Sequence, residues 1–271
     1  MIDTDKEISD LVILIRGAGE MATGVAHRLV SCHFKVCTTE TPNPQAVRRE
    51  VAFSEAVFDQ EKKVEGVIAK KIDSPHRIFP VWKDGKIPIL IDPEATVKDI
   101  IKPDVLIDAT LAKKNLGTKM TDAPLVIGLG PGFYAGRDVH LVIETNRGHN
   151  LGRIISNGEA EPNTGIPGSI DGYAEERVIR APKDGKFKAL TKIGEGVLAD
   201  AKVGMIGDVE VRSRIAGVVR GLLRDGTEVW KGMKLGDVDP RGIKGHCYTI
   251  SDKARTISGG VLQVILEHFN G

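Results

Sequence analysis

"LIRGAGEMATGVAHRL", Leu14–Leu29, runs an apolar segment into three small residues, Gly17, Gly19 and Ala22, and then into a helical pattern. The continuous apolar run Leu11–Arg16 predicts a buried strand, and Met21, Val25 and Leu29 recur at helical spacing over Glu20–Ser31. Gly-x-Gly-x-x-Ala between a strand and a helix is the context in which a dinucleotide fingerprint has physical meaning. Gly17 permits the tight turn, Gly19 lets backbone approach a pyrophosphate, and Ala22 allows close helix–strand packing. The helix amino terminus, opening at Glu20, offers N–H groups and a positive dipole end to phosphate. Glu40 ends the next strand, 23 positions after Gly17, where a carboxylate accepts hydrogen bonds from a ribose and disfavours a 2′-phosphate. The plainer alternative is a strand-to-helix corner with Glu40 solvated. Arg16, directly before the turn, has no role that the sequence shows.

Outward from that turn, strands and helices alternate. Lys35–Thr39, Val67–Ile72, Ile87–Ile91, Asp104–Ala109, Pro124–Gly128 and His140–Glu144 read as strands. A helix is predicted to open at Pro44 and run through Ala46, Val47 and Val51, with others over His76–Trp82 and 93–103, the last stopped by Pro103. This spacing predicts an α/β class, Rossmann-like, with a mainly parallel sheet over residues 1–165. Ligands of such sheets bind at the carboxyl ends of the strands. Two more of those ends carry chemistry. GLGPGFYAGRD, 128–138, places Gly130 and Gly132 around Pro131, a loop whose amides would nest an anion. VIETNRGHNLGR, 142–153, gathers Glu144, Asn146, Arg147, His149, Asn150 and Arg153. Arg147 could clamp a phosphate or carboxylate and His149 could move a proton, the alternative being a polar surface loop.

The histidines and cysteines do not fall at structural-zinc spacings, so no metal is expected. Cys32 and Cys37 read as core thiols. Cys247 has Lys244 and His246 beside it, neighbours able to lower a thiol pKa, which makes it a candidate catalytic residue alongside His149.

The Gly-, Pro- and Asn-rich segment 157–173 reads as an exposed connection. Beyond it helical spacing disappears and the chain repeats itself at a displacement of 32 residues. Arg180, Gly185, Leu190, Gly194, Val197, Lys202 and Gly204 recur as Arg212, Gly217, Leu222, Gly226, Val229, Lys234 and Gly236. Neither half can bury its own apolar face, so the two are expected to close one small β module over 175–240. The pattern resembles the barrel-sandwich modules of biotinyl and lipoyl proteins, in which related halves interlock. Their modified lysine lies on the hairpin between halves, and the corresponding GMIGDVEV, 204–211, has none, so a carrier role is not expected. The tail, 241–271, is expected to form a helix capped by Ser251 that packs back on the α/β domain and brings Cys247 near the Gly17 and Arg147 loops.

Composition limits the partners. The 271 residues are 41% hydrophobic and 28% charged, with 38 Lys plus Arg against 37 Asp plus Glu, so neither nucleic acid nor an anionic membrane is implied. The acidic start is unlike a secretory signal, and three cysteines make no disulfide framework, which predicts a cytoplasmic protein. As a whole the chain resembles the YqeB-type accessory proteins of selenium-dependent molybdenum hydroxylases, relatives of the XdhC maturation factors. The likeness is carried by RGAGEMATGVAHRL, GLGPGFYAGRDVHLVIETNRGHNLGR, IAGVVRGLLRDGTEVWKGMKLGDVDPR and CYTISDKARTISGGVLQVIL. It implies maturation of the molybdenum cofactor, with selenium or sulfur insertion or delivery. The partners would be an apo-hydroxylase and a chalcogen donor, in a possible homo-oligomer. The nucleotide turn suits NAD or a molybdopterin-type cofactor equally. An NAD-dependent oxidoreductase using His149 and a non-catalytic nucleotide-sensing scaffold are the rival readings.

Overall fold

In a computed structural model of the chain, residues 6–270 are described. They form two units. One comprises residues 6–44, 52–163 and 250–270, and the other comprises Gln45–Val51 with Thr164–Thr249.

The first unit is built on a nine-stranded sheet. Its strands and those of a separate two-stranded sheet are, in chain order, β1 Val12–Arg16, β2 Lys35–Glu40, β3 Glu61–Val64, β4 Val67–Ile72, β5 Ile87–Ile91, β6 Val105–Asp108, β7 Leu125–Leu129, β8 Tyr134–Ala135, β9 Leu141–Ile143, β10 Ile154–Ile155 and β11 Gly158–Glu159. The main sheet has the order β10-β9-β7-β6-β1-β2-β5-β4-β3, while β8 and β11 pair with each other apart from it. Its helices are α1 Glu20–Ser31, α2 Ala56–Asp59, α3 Ile78–Lys83, α4 Lys98–Ile101 and α5 Asp252–Phe269. Central strands are apolar on both faces: Ile13, Leu14, Ile15, Ile87, Ile89, Leu106, Ile107 and Leu125 are buried.

The Rossmann-like expectation is corrected by this sheet, which is mixed. β3 runs antiparallel to β4 and β10 antiparallel to β9. Only Glu65 and Gly66 join β3 to β4, both with positive φ, and a two-residue turn can only reverse the chain. β3, EKKV, is too polar to read as a strand in the sequence. Long covering helices are also missing from most crossovers: α2, α3 and α4 have four to six residues, and the β6–β7 connection holds a single 3-10 turn, Met120–Asp122.

The second unit holds β12 Val178–Arg180, β13 Gly185–Ala189, β14 Gly196–Val197, β15 Lys202–Ile206, β16 Val209–Arg212, β17 Gly217–Leu222, β18 Glu228–Val229 and β19 Lys234–Asp239. These make two antiparallel sheets, β12-β19-β17-β14 and β16-β15-β13-β18. Each sheet takes two strands from either half of the repeat. Phe187, Val203, Val219 and Leu235 form its core. It is not the self-contained biotinyl- or lipoyl-like module expected. Residues 45–51 join it from far upstream: Val47 accepts a hydrogen bond from the Leu222 amide at 2.8 Å, and Arg49 Nε donates to the Leu222 carbonyl. That docking replaces the helix expected from Pro44, of which one 3-10 turn, Arg49–Val51, remains.

Candidate functional site

The chain leaves β1 for β2 on one side and later returns to β6 on the other, so the carboxyl ends of β1 and β6 flank a change of direction in the sheet. The Gly17 turn sits there. Gly17 has φ +98°, and a Cβ would lie 3.1 Å from the Ala109 carbonyl oxygen after β6, so only glycine fits. Gly17 N–H donates to Thr39 O, while Ala18 O accepts from the Ser54 amide and the Thr23 hydroxyl. Thr23 in turn accepts from the Phe53 amide, which ties the turn to residues 53–54.

Gly19 is the N-cap of α1 and supplies no side-chain cap. The first amides of a helix have no intrahelical acceptor. A Cβ added at Gly19 would meet nothing within 4 Å. Beside this open space stands Glu40, half-buried, with Oε2 accepting from the Ala18 amide at 2.9 Å and Oε1 from the Thr41 amide at 2.8 Å. The carboxylate is therefore not simply solvated. Two amides fix it, and it retains lone pairs beyond those two bonds. Ala22 is buried, and Glu20 turns its carboxylate to the Ser251 hydroxyl at 2.7 Å.

Arg16 proves to be the hub under the turn. Its guanidinium is buried and donates to Pro93 O, Leu116 O and Thr118 Oγ1, with Asp108 Oδ2 at 3.4 Å. Asp108 also accepts from the Thr118 hydroxyl and from both the amide and hydroxyl of Thr110. The apolar strand pattern gave no sign that an arginine at its end would turn inward.

The 128–138 loop is packed by protein where an anion was expected. Gly130 donates its amide to Ile143 O, and a Cβ on it would overlap the Thr145 hydroxyl. Gly132, at φ +109°, lies so close to the next loop that a Cβ would be 2.5 Å from the Lys114 amide nitrogen. The 142–153 loop is organised by Glu144, which is buried and accepts from the amides of Asn146 and Glu161. Arg147 makes a two-pronged ion pair with Asp252 at the start of α5. His149 is exposed.

Cys247 lies in the core of the second unit, its sulfur 3.6 Å from Val219 O. Burial pushes its thiol pKa up, against the pull of the Arg48 and Arg220 guanidiniums, so the activation expected from Lys244 and His246 is corrected. Cys37 is buried and its pKa is raised by desolvation, whereas Cys32, expected in the core, is exposed at the end of α1. Among the described residues no group of three or more His, Cys, Asp or Glu side chains could hold a metal ion, and no helix is long and apolar enough to cross a membrane.

The fold and site thus define a mixed-sheet α/β unit with a glycine turn at its switch point, joined to a repeat-built β unit. No family model matches the chain. The chain is 47% identical over 255 residues to a protein of Escherichia coli K12 described as "Uncharacterized protein YqeB", which supports the YqeB-type likeness. The match covers 94% of this chain, which spans about half (47%) of that relative's length.

Solved structures with likeness to the chain include an ectoine utilization protein, EutE (DoeB), from Ruegeria pomeroyi (13% identity, TM-score 0.26). Others are an aspartoacylase family protein from Mesorhizobium loti (12%, 0.28) and a succinylglutamate desuccinylase/aspartoacylase from Rhodobacter sphaeroides (16%, 0.26). Each match covers 84% of this chain and 85% of the other. At these scores no activity carries over. The expected role in molybdenum-cofactor maturation is nonetheless corrected. The thiol that chalcogen transfer would need is sealed in the core of the second unit, with its pKa raised by burial. His149, the acid–base candidate of the rival oxidoreductase reading, is an exposed loop residue.

Proposed function

We propose that the first unit binds a phosphate-bearing nucleotide at the Gly17–Gly19 turn, with NAD the leading form. The carrying observation is the open space over Gly19, at an uncapped helix start, beside a Glu40 carboxylate already fixed by the Ala18 and Thr41 amides. The phosphate would face the α1 amides and the ribose hydroxyls the lone pairs left on Glu40. A 2′-phosphate would meet that negative charge, so the unphosphorylated dinucleotide is preferred. The three unpaired cysteines favour a cytoplasmic setting for this function.

Calorimetric titration with NAD⁺, NADP⁺ and ADP tests the reading. NAD⁺ and ADP should bind, and NADP⁺ should bind on the order of tenfold more weakly, about the worth of one charge-assisted hydrogen bond. Gly19→Val should remove binding while circular dichroism shows the variant folded, because a Cβ there meets no neighbouring atom within 4 Å. Absence of binding by all three ligands, or equal affinity in the variant, refutes it.

A further inference from the structure

A second candidate site lies at the edge of the main sheet, where β9 turns back into β10. A cavity of about 570 Å³ opens there, lined among others by Asn150, Arg153, Ile154, Ile155, Asn157 and Glu161. That size is within the range of sites for small organic molecules. Its charged groups are arranged in a particular way. Glu161 is exposed, yet its carboxylate is held by Asn146 Nδ2 at 2.5 Å and Asn150 Nδ2 at 3.2 Å. Those amides keep its pKa below the usual carboxylate range, so it stays ionised. The Glu161 backbone is fixed as well, its amide donating to buried Glu144 at 2.7 Å. Arg153, by contrast, makes no side-chain hydrogen bond or ion pair among the described residues, and the Asn157 amide is likewise unengaged.

A preset carboxylate and an uncommitted guanidinium therefore share one cavity, whose lining also includes Glu159 and Glu144, the latter already accepting from the Asn146 and Glu161 amides. An isolated anion would face Glu161 and an isolated cation would face Arg153. A molecule carrying both charges satisfies both, and Ile154, Ile155, Ala160 and Pro162 supply apolar wall for an aliphatic side chain. We infer that this cavity binds a zwitterion of amino-acid to dipeptide size, its ammonium at Glu161 and its carboxylate at Arg153 and Asn157.

The test uses the full chain and calorimetry with L-leucine and glycyl-L-leucine. Two matched controls accompany them: 3-methylbutylamine, which lacks the carboxylate, and 4-methylpentanoate, which lacks the ammonium. At least one zwitterion should bind on the order of tenfold or more tightly than either control, the worth of one charge-assisted hydrogen bond. Arg153→Met and Glu161→Gln should each weaken it by a similar factor, while Gly19→Val leaves it unchanged, which separates this site from the nucleotide turn. Circular dichroism should show both cavity variants folded. Failure of both zwitterions to bind, equal binding of a single-charge control, or unchanged affinity in either folded cavity variant overturns the inference.

Discussion

At Arg16 a single residue ties together two loops at the carboxyl edge of the sheet, and its charge is balanced by fully buried Asp108. A buried charge stripped of its partner costs more than the pair contributes, about 3–5 kcal/mol. Asp108→Ala should lower unfolding stability by about that amount, measured by urea denaturation. Asp108→Asn, which keeps an acceptor for the Thr118 and Thr110 hydroxyls, should cost clearly less. Equal, small losses in both variants would show that Arg16 finds other acceptors. The contrast with Glu40 explains what the sequence lets one read at this scale. An acid at a fixed offset after a glycine turn is legible because the offset sets its position at a strand end. The partners of Arg16 are legible nowhere, because Pro93, Asp108, Leu116 and Thr118 lie far from it in sequence and near it only once β6 docks beside β1. Cys247 misleads for the same reason: its sequence neighbours are charged, while its spatial neighbours are the apolar core of the second unit.

Between elements, α1 and α5 of the first unit pack closely against each other. A Cβ on Gly24 would sit 2.8 Å from the Ala254 Cβ, and one on Gly260 would sit 2.5 Å from the Gly152 carbonyl oxygen. Ser251 caps α5 through its hydroxyl and the Ala254 amide, and Arg28 Nε reaches the Ser258 hydroxyl at 2.8 Å. Replacing a helical glycine with alanine normally gains about 1 kcal/mol. Here Gly24→Ala should instead destabilise by about 1–3 kcal/mol, the cost of overpacking. Adding Ala254→Gly should recover part of the loss. A raised melting temperature for Gly24→Ala alone would contradict this packing. The paired glycines at 259–260 signalled a close backbone contact, and Gly260 makes it, whereas Gly259 has nothing near a would-be Cβ. Strands at Val67–Ile72 and Ile87–Ile91 were readable from their apolar runs. The antiparallel edges were not, because β3 is polar and β10 has only two residues.

Over the whole molecule the chain passes twice into the second unit, once for Gln45–Val51 and once for Thr164–Thr249. No local pattern announces such a return, so residues 45–51 read as a helix. The repeat, by contrast, announces itself, and its strands correspond pair by pair at the 32-residue displacement: β12 with β16, β13 with β17, β14 with β18 and β15 with β19. Since both sheets mix the halves, damage to one half should spread to the other. Phe187→Ala, in the fully buried core, should cost about 3–5 kcal/mol. Hydrogen exchange should then accelerate together at Val203 in the first half and at Val219 and Leu222 in the second. Faster exchange confined to residues 185–206 would show that the halves open separately.

That interlocking also bears on history. A peptide holding one copy of the repeat could have closed the same pair of sheets as two separate chains related by a twofold axis. On this view the second unit is a homodimer written into one polypeptide, and joining the copies freed each to change alone. Counterparts have since parted. The exposed turn Gly207–Asp208 of the first copy falls opposite Asp239–Pro240 in the second, where Asp239 has become a buried carboxylate gripping Arg241. Leu198 faces solvent in one copy where Trp230 does in the other.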